Sequence, residues 1–333
     1  MISTLYIEEA VREHPRSREI CARFPHARQI LCAHYGELFN RKAQHFRLQK
    51  QGPALILARK QQRFLLPAPP QYGIGGSHNY YFSHMLNCLY DCRYCFLQGM
   101  YRSANYVLFV NYEDFQQAIH AQARDLADAD PYFYSGYDCD SLALDPVTRF
   151  CGEFLPLFKK LPHCRIELRT KSTQIRALLH MEPLPNCIVA FSFTPETIRR
   201  KLEHGVPSVA RRLDAMEKLY RRGWQLGLRF DPLIYQQGFE HDYQALFAMI
   251  FARIPATALH SVSLGGFRMP EKFFRTLGRL YPDEAFLAGP FVAQKGMVAY
   301  RQELETRMMD FCSAQLLSYI PHDKFFPCSN AST

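Results

Sequence analysis

Cys88, Cys92 and Cys95 stand four and three residues apart in the segment CLYDCRYC. Three thiolates at that spacing can wrap a compact loop around one face of a cubane iron–sulfur cluster, ligating three irons and leaving the fourth open. Four cysteines would close the coordination sphere, whereas three keep a position for chemistry. In loops of this kind with an aromatic residue before the last cysteine, here Tyr94, the open iron of a [4Fe–4S] cluster chelates the amino and carboxylate groups of S-adenosylmethionine. One electron passed to the sulfonium then breaks a C–S bond and gives a 5′-deoxyadenosyl radical. The same trio could instead bind zinc, with His84 or His78 completing a Cys3His set. Zinc ligands usually come as two dyads with a longer gap, which this segment lacks.

A loop of ligands needs a frame, and the chain supplies a repeating one from about residue 78. Strand-like NYYFSHML (79–86) leads into the cysteines, and EDFQQAIHAQARDLAD (113–128) has helical periodicity. Then follow YFYSGYD (132–138, strand), PVTRFCGEFLPLFKK (146–160, helix), CRIELRTK (164–171, strand) and STQIRALLHM (172–181, helix). The series continues with NCIVAFSFT (186–194, strand), SVARRLDAMEKLYRRG (208–223, helix closed by Gly223) and WQLGLRFDPLI (224–234, strand). It ends with DYQALFAMIFARI (242–254, helix), LHSVSLGGF (259–267, strand) and PEKFFRTLGRLY (270–281, helix). Six strand–helix units in a row predict a parallel sheet, and right-handed crossovers curl it into a barrel or an open α/β sheet. In a parallel barrel the loops at the strand C-termini build the site. The cysteine loop follows the first strand, Asp138-Cys139-Asp140-Ser141 the second and Thr170-Lys171-Ser172 the third, so all three face one mouth. This context favours the cluster over zinc.

Composition sets outer limits. With 333 residues, 48% apolar and 21% charged, the chain can bury a sizeable core, and disorder is excluded. No run of 18 apolar residues suggests a membrane span, and the N-terminus lacks a secretory pattern, so a cytoplasmic protein is expected. In a reducing compartment eleven cysteines serve metal binding, catalysis or packing in place of disulfides. Net charge is +9, and residues 1–65 hold twelve Lys or Arg against five Asp or Glu, a net +7. Aromatics Tyr35, Phe39, Phe46 and Phe64 are interleaved with those cations, which suits either a solvated basic surface or nucleic-acid contact. The expected organisation is a basic N-terminal segment with helical patches (1–75), a partial barrel (76–284) and a C-terminal extension (285–333). The turn-rich stretch PAPPQYGIGG (67–76) marks the first boundary, with glycines that read as a flexible joint, and KGMVAYRQ (295–302) suggests part of a hairpin.

The sequence resembles the spore photoproduct lyase family of radical S-adenosylmethionine enzymes, which repair a thymine–thymine adduct in ultraviolet-damaged DNA. The resemblance rests on Cys88, Cys92, Tyr94 and Cys95 followed by Leu97-Gln98, on Cys139-x-Ser141, on Lys171 in LRTKS and on Ser192 in AFSFT. LYIEEAV (5–11) and LGLRFDPLIY (226–235) extend it across most of the chain. It implies an α/β fold, a partial (β/α)6 barrel of the radical S-adenosylmethionine type with N- and C-terminal extensions. It also implies that Tyr94 packs on the adenine, that Ser141, Lys171 and Ser192 hold the methionine and ribose ends of the cofactor, and that Cys139 gives a hydrogen atom to the product radical. DNA and an electron donor such as flavodoxin or ferredoxin are the implied partners.

Two departures accompany the match. Where the family carries a tyrosine after the third cysteine to relay hydrogen back to the cofactor, this chain has Phe96, which has no O–H. Around Cys139 the family has small apolar residues before and threonine after, whereas here the order is Tyr137-Asp138-Cys139-Asp140. Either the cofactor is consumed at each turnover, or another tyrosine such as Tyr94 takes the relay, or a radical enzyme on this scaffold acts on another substrate, RNA or protein. A zinc-stabilised nucleic-acid-binding protein without catalysis is the alternative from another class.

Overall fold

A computed structural model of the chain describes residues 2–69 and 72–328, so Pro70 and Gln71 of the expected joint lie outside the described residues. Seven parallel strands form the main sheet: β1 Asn79–Phe82, β2 Tyr132–Ser135, β3 Arg165–Thr170, β4 Cys187–Ser192, β5 Gln225–Leu233, β6 Leu259–Gly266 and β7 Phe325–Cys328. They pair in sequential order, and Leu66–Pro67 adds antiparallel to β1. The two end strands do not pair with each other, so the barrel stays open.

Intervening helices α1 Tyr112–Asp125, α2 Phe150–Lys159, α3 Arg176–His180, α4 Val209–Arg222 and α5 Phe239–Phe251 cover the outer face, α6 Glu271–Leu280 packs instead on the helix Leu97–Met100, and α7 Gln302–Leu317 packs on β6. α4 shows the local logic. Ser208 caps its start by accepting the Arg211 N–H (3.3 Å), and Gly223 ends it in the left-handed region at φ 97°. Helices outside and a filled interior bury strands on both faces, which is why β4, Cys-Ile-Val-Ala-Phe-Ser, is buried at all six positions. Elsewhere the period of two sorts residues by chemistry. In β3, Ile166 and Leu168 belong to the apolar core, while Glu167 and Arg169 line the cavity inside the sheet. In β5, Leu228 and Phe230 join the core, and Arg229 and Asp231 line the cavity.

The N-terminal segment holds helical patches, Pro15–Arg23 and Phe46–Gln51, and also strands that were not expected. Thr4–Glu8, Arg28–Cys32 and Leu55–Ala58 are parallel strands of a second sheet, which Tyr106–Phe109 and Met85–Leu86 complete. The chain therefore leaves β1, joins the other sheet and only then enters α1. The C-terminal segment also does more than follow the repeat: α7 and β7 add a seventh helix–strand unit, with β7 parallel to β6. Phe291–Gln294 and Met297–Tyr300 form the hairpin, and Met297–Tyr300 also pairs with Arg268–Pro270.

Where the two sheets meet, the His84 backbone carbonyl accepts from Phe109 (3.0 Å) and its ring stacks on Phe150 at 4.0 Å. Burial holds the imidazole neutral, its pKa pushed down to about 3. The unfolded ring gains a proton as pH falls below about 6.5 while the folded ring does not, so this site loses stability on acidification at about 1.4 kcal/mol per pH unit. Urea unfolding of wild type and His84→Phe at pH 7 and pH 5 should show about 2 kcal/mol more loss in the wild type. Equal losses would mean that His84 is not held neutral.

Candidate active site

The cysteine loop leaves the second sheet after Met85–Leu86 and is pinned to the barrel by a short antiparallel pairing, Cys92 opposite Glu203 and Asp91 opposite His204. The Arg93 N–H donates to the Leu202 carbonyl (2.8 Å), and the Cys95 N–H to the Cys92 carbonyl (3.0 Å), which turns the chain into the helix Leu97–Met100. That helix lies against α6, and the approach is close enough to require glycine. A Cβ on Gly99 would stand 2.3 Å from the Phe273 carbonyl oxygen. Beneath the loop the Tyr94 hydroxyl donates to Glu203. The other Glu203 oxygen accepts from Arg212 (3.0 Å), and a second Arg212 nitrogen donates to the Ser192 carbonyl (2.7 Å). Glu203 and Arg212 are fully buried, so β4, α4 and the cysteine loop share one enclosed ion pair.

Asp140 ties the next two loops together. One carboxylate oxygen accepts from the Leu142 and Ala143 N–H groups (3.0 and 2.9 Å) and from the Thr170 hydroxyl (2.7 Å), and the other accepts from the Lys171 N–H (2.6 Å). The loop after β2 is thereby fixed to the loop after β3, which sets Cys139 relative to Lys171. Gly136, at φ 85°, makes the turn possible, since a Cβ there would lie 2.5 Å from the Ser141 hydroxyl. Asp138 accepts from Ser83 and Tyr101.

These elements enclose a cavity of about 550 Å³, within the usual range for a cofactor or small-ligand site. Cys88, Cys92, Tyr94, Cys95, Cys139, Lys171 and Ser192 all line it. Ser141, the remaining residue expected at the site, does not: its hydroxyl pairs with that of Ser135 (2.8 Å) behind the wall. Tyr94 presents its ring, with Lys171 Nζ 5.6 Å from the centroid. The Ser192 hydroxyl meets Arg169 Nε at 3.4 Å, and Arg169 also donates to the Asp231 carbonyl (3.1 Å). Deeper, Arg229 pairs with Glu167 at 2.7 and 3.2 Å and with the Ser261 hydroxyl at 2.9 Å. Sequence reading missed Glu203, Arg212 and the anchoring role of Asp140. The polar interior did leave a signal, the charged Glu167, Arg169, Arg229 and Asp231 at alternate positions of otherwise apolar strands.

Burial raises all three loop thiols, Cys88 to about 12, and it raises Cys139 with help from Cys88, Asp138 and Asp140. Burial alone would lower the Lys171 ammonium, but Cys92, Glu203 and Cys95 hold it above the ordinary lysine value. The donor set fits a cubane better than zinc. Among the described residues no three His, Cys, Asp or Glu side chains gather closely enough for a single ion, whereas each cysteine on a cubane meets a different iron. The Tyr90 N–H reaches the Cys88 sulfur at 3.4 Å, support suited to a thiolate ligand. Neither histidine joins the trio: His84 is enclosed by Phe150, Tyr112 and Phe154, and His78 precedes β1, at the end opposite the cysteines.

The profile of the family described as Spore photoproduct lyase matches residues 73–282. The Spore photoproduct lyase of Bacillus subtilis (strain 168) is 23% identical over 177 residues, 53% of this chain and 52% of that protein. That of Geobacillus sp. (strain Y412MC61) is 24% identical over 181 residues, with the same shares. The chain thus spans about half the length of the curated relatives it matches. Among solved structures, a cysteine-to-serine mutant of spore photoproduct lyase superposes at a TM-score of 0.87 with 17% identity, over 99% of this chain and 98% of that one. A mutant with bound AdoMet and dinucleoside spore photoproduct gives 0.85 at 17%, over the same shares. These likenesses establish the curled, open α/β barrel as the shared fold.

Gly99→Ala tests how the loop is positioned. Pushing the helix Leu97–Met100 off α6 should cost about 1–3 kcal/mol and lower the iron bound per chain after anaerobic reconstitution. Unchanged melting temperature and iron content would show that this contact does not set the loop.

Proposed function

Because the chain belongs to the spore photoproduct lyase family, we propose that it repairs a thymine adduct of the spore-photoproduct type in ultraviolet-damaged DNA by radical chemistry. The observation that carries this reading is that the Cys139 thiol opens onto the same cavity as the cysteine trio. We assign Cys88, Cys92 and Cys95 as ligands of a [4Fe–4S] cluster. With S-adenosylmethionine at its open iron, that group would supply a 5′-deoxyadenosyl radical. Lys171, a half-buried ammonium that lines the cavity, suits the methionine carboxylate, and Ser192 suits a neighbouring hydroxyl. The Tyr94 ring suits the adenine face, its own hydroxyl being held by Glu203. Ser141, set behind the wall, would act on the cofactor by shaping the turn that carries Cys139.

Cys139 has the role of hydrogen donor. A substrate carbon radical left after the adduct opens would take the hydrogen atom from S–H, leaving a thiyl radical on sulfur. That donation needs the neutral thiol, and burial, Cys88 and the flanking aspartates favour that form. Phe96 lines the cavity without an O–H, so no relay passes through that position.

The proposed partners follow from charge and exposure. Arg47 is exposed and Lys50 half-buried beside the cysteine loop, which suits an acidic one-electron donor such as flavodoxin or ferredoxin as well as DNA phosphates. All eleven cysteines are unpaired, which suits a reducing, cytoplasmic setting. Among the described residues no helix is long and apolar enough to cross a membrane.

Anaerobically reconstituted protein should be brown, with absorption near roughly 400 nm, and Cys88→Ala, Cys92→Ala and Cys95→Ala should each lose the colour. Given reductant, S-adenosylmethionine and DNA containing the spore photoproduct, mass spectrometry should detect restored thymines. Formation of 5′-deoxyadenosine with the lesion intact would overturn the substrate assignment. Cys139→Ala should still cleave the cofactor yet divert the substrate radical to other products, and unchanged products would remove Cys139 from the reaction.

A further inference from the structure

Tyr137 is 39% exposed although it sits two residues before a buried thiol and lines the same cavity. Its ring is nonetheless held. One face stacks on Tyr81 with centroids 4.3 Å apart and planes at 26°, and Phe96 leans toward it at 5.6 Å and 49°. Its backbone cannot drift, because Asp138 beside it accepts hydrogen bonds from Ser83 and Tyr101. The result is a fixed, partly bare aromatic surface at the entrance to the chemistry.

A second observation points to a ligand in the same cavity. Arg268 donates to the Tyr72 hydroxyl (3.1 Å) and to the Cys328 carbonyl (3.1 Å), which leaves Nη2 buried without a hydrogen-bond partner among the described residues. A buried guanidinium nitrogen left unpaired costs free energy that an acceptor oxygen would recover. Arg268 lines the cavity, so such an oxygen can reach it there.

We propose that Tyr137, backed by Tyr81 and Phe96, is a stacking platform for an unpaired nucleobase of the substrate DNA strand, and that Arg268 takes an oxygen of that strand. This rests on the reading of the chain as a DNA-repair enzyme and adds how the strand is held. A base offers a π face of the right size, and a ring already immobilised loses little freedom on binding it. Every base has such a face, so the platform favours unstacked DNA over any one sequence. Reaching it requires that the nucleotide leave the duplex stack.

The test is equilibrium binding of a thymidine pentamer to the full chain, by fluorescence anisotropy, with the melting temperature of each variant checked. Tyr137→Ala should weaken binding about tenfold, the scale of one base–aromatic stack, while Tyr137→Phe should stay within about twofold. An abasic pentamer should bind wild type and Tyr137→Ala equally. Arg268→Met should weaken binding of both pentamers. Unchanged binding by a folded Tyr137→Ala would overturn the platform, as would an abasic pentamer that binds wild type as tightly as the thymidine one. Tighter binding of a uridine pentamer would overturn DNA as the ligand. If thymidine binding depends on Tyr137 but no thymine is restored from the lesion, the repair reading fails and the platform stands. If Tyr137→Ala binds and repairs as wild type does, the reverse holds.

Discussion

The buried contact between Glu203 and Arg212 is the constraint on which the site depends. One carboxylate receives Tyr94 from the cysteine loop and Arg212 from α4, and Arg212 passes a hydrogen bond on to the Ser192 carbonyl at the end of β4. An isolated charge in that position would be strongly destabilising, so neither partner can leave without the other. The backbone pairing of Cys92 with Glu203 runs through the same residue. The cysteine loop, the tyrosine beneath it and the strand end that carries Ser192 are therefore placed by one enclosed pair of opposite charges.

The barrel interior repeats that design at larger scale. Strands buried on their outer face by helices carry charged residues inward, and these neutralise each other. Arg229 with Glu167 closes the depth of the cavity, and Arg169 with Asp231 stands nearer its mouth. Saturated polar groups hold side chains in fixed positions more firmly than an apolar filling of the same volume would. The Asp140 carboxylate does the same work between two loops, its oxygens accepting three backbone N–H groups and a hydroxyl. The proposed reaction, which would leave an unpaired electron on its substrate, would benefit from walls that do not move and from a thiol whose approach is fixed.

Much of this was legible from local pattern. Each of the six expected strand–helix units is present, because long apolar runs and capped helices such as α4 are governed by neighbours in sequence. The second sheet was not legible. Its strands are two to five residues long, and Leu5 pairs with Gln29 on one side and Leu55 on the other, partners that no local periodicity announces. β7 was hidden for another reason: Pro327 argues against a strand interior, and it is tolerated because β7 is an edge that, among the described residues, pairs only with β6. At the site, spacing alone exposed the cysteine trio. Lys171 and Ser192 emerged through resemblance. Nothing in the sequence sets the Glu203–Arg212 pair, nine residues apart across a turn, apart from ordinary surface charge; only the fold encloses it.

The cysteine loop is also a closed excursion. It departs from Met85–Leu86 and returns at Tyr106–Phe109, and those strands pair with each other, Leu86 opposite Val107. Both feet are thus joined by the fold itself, and β-pairing to Glu203 tethers the middle. The entropy of gathering three thiols from a flexible segment, which grows with the length of free chain, has already been spent by folding. For the proposed cluster, assembly would in consequence be a local event on a finished scaffold, and oxidative loss of the iron would leave a receptive fold that can be refilled.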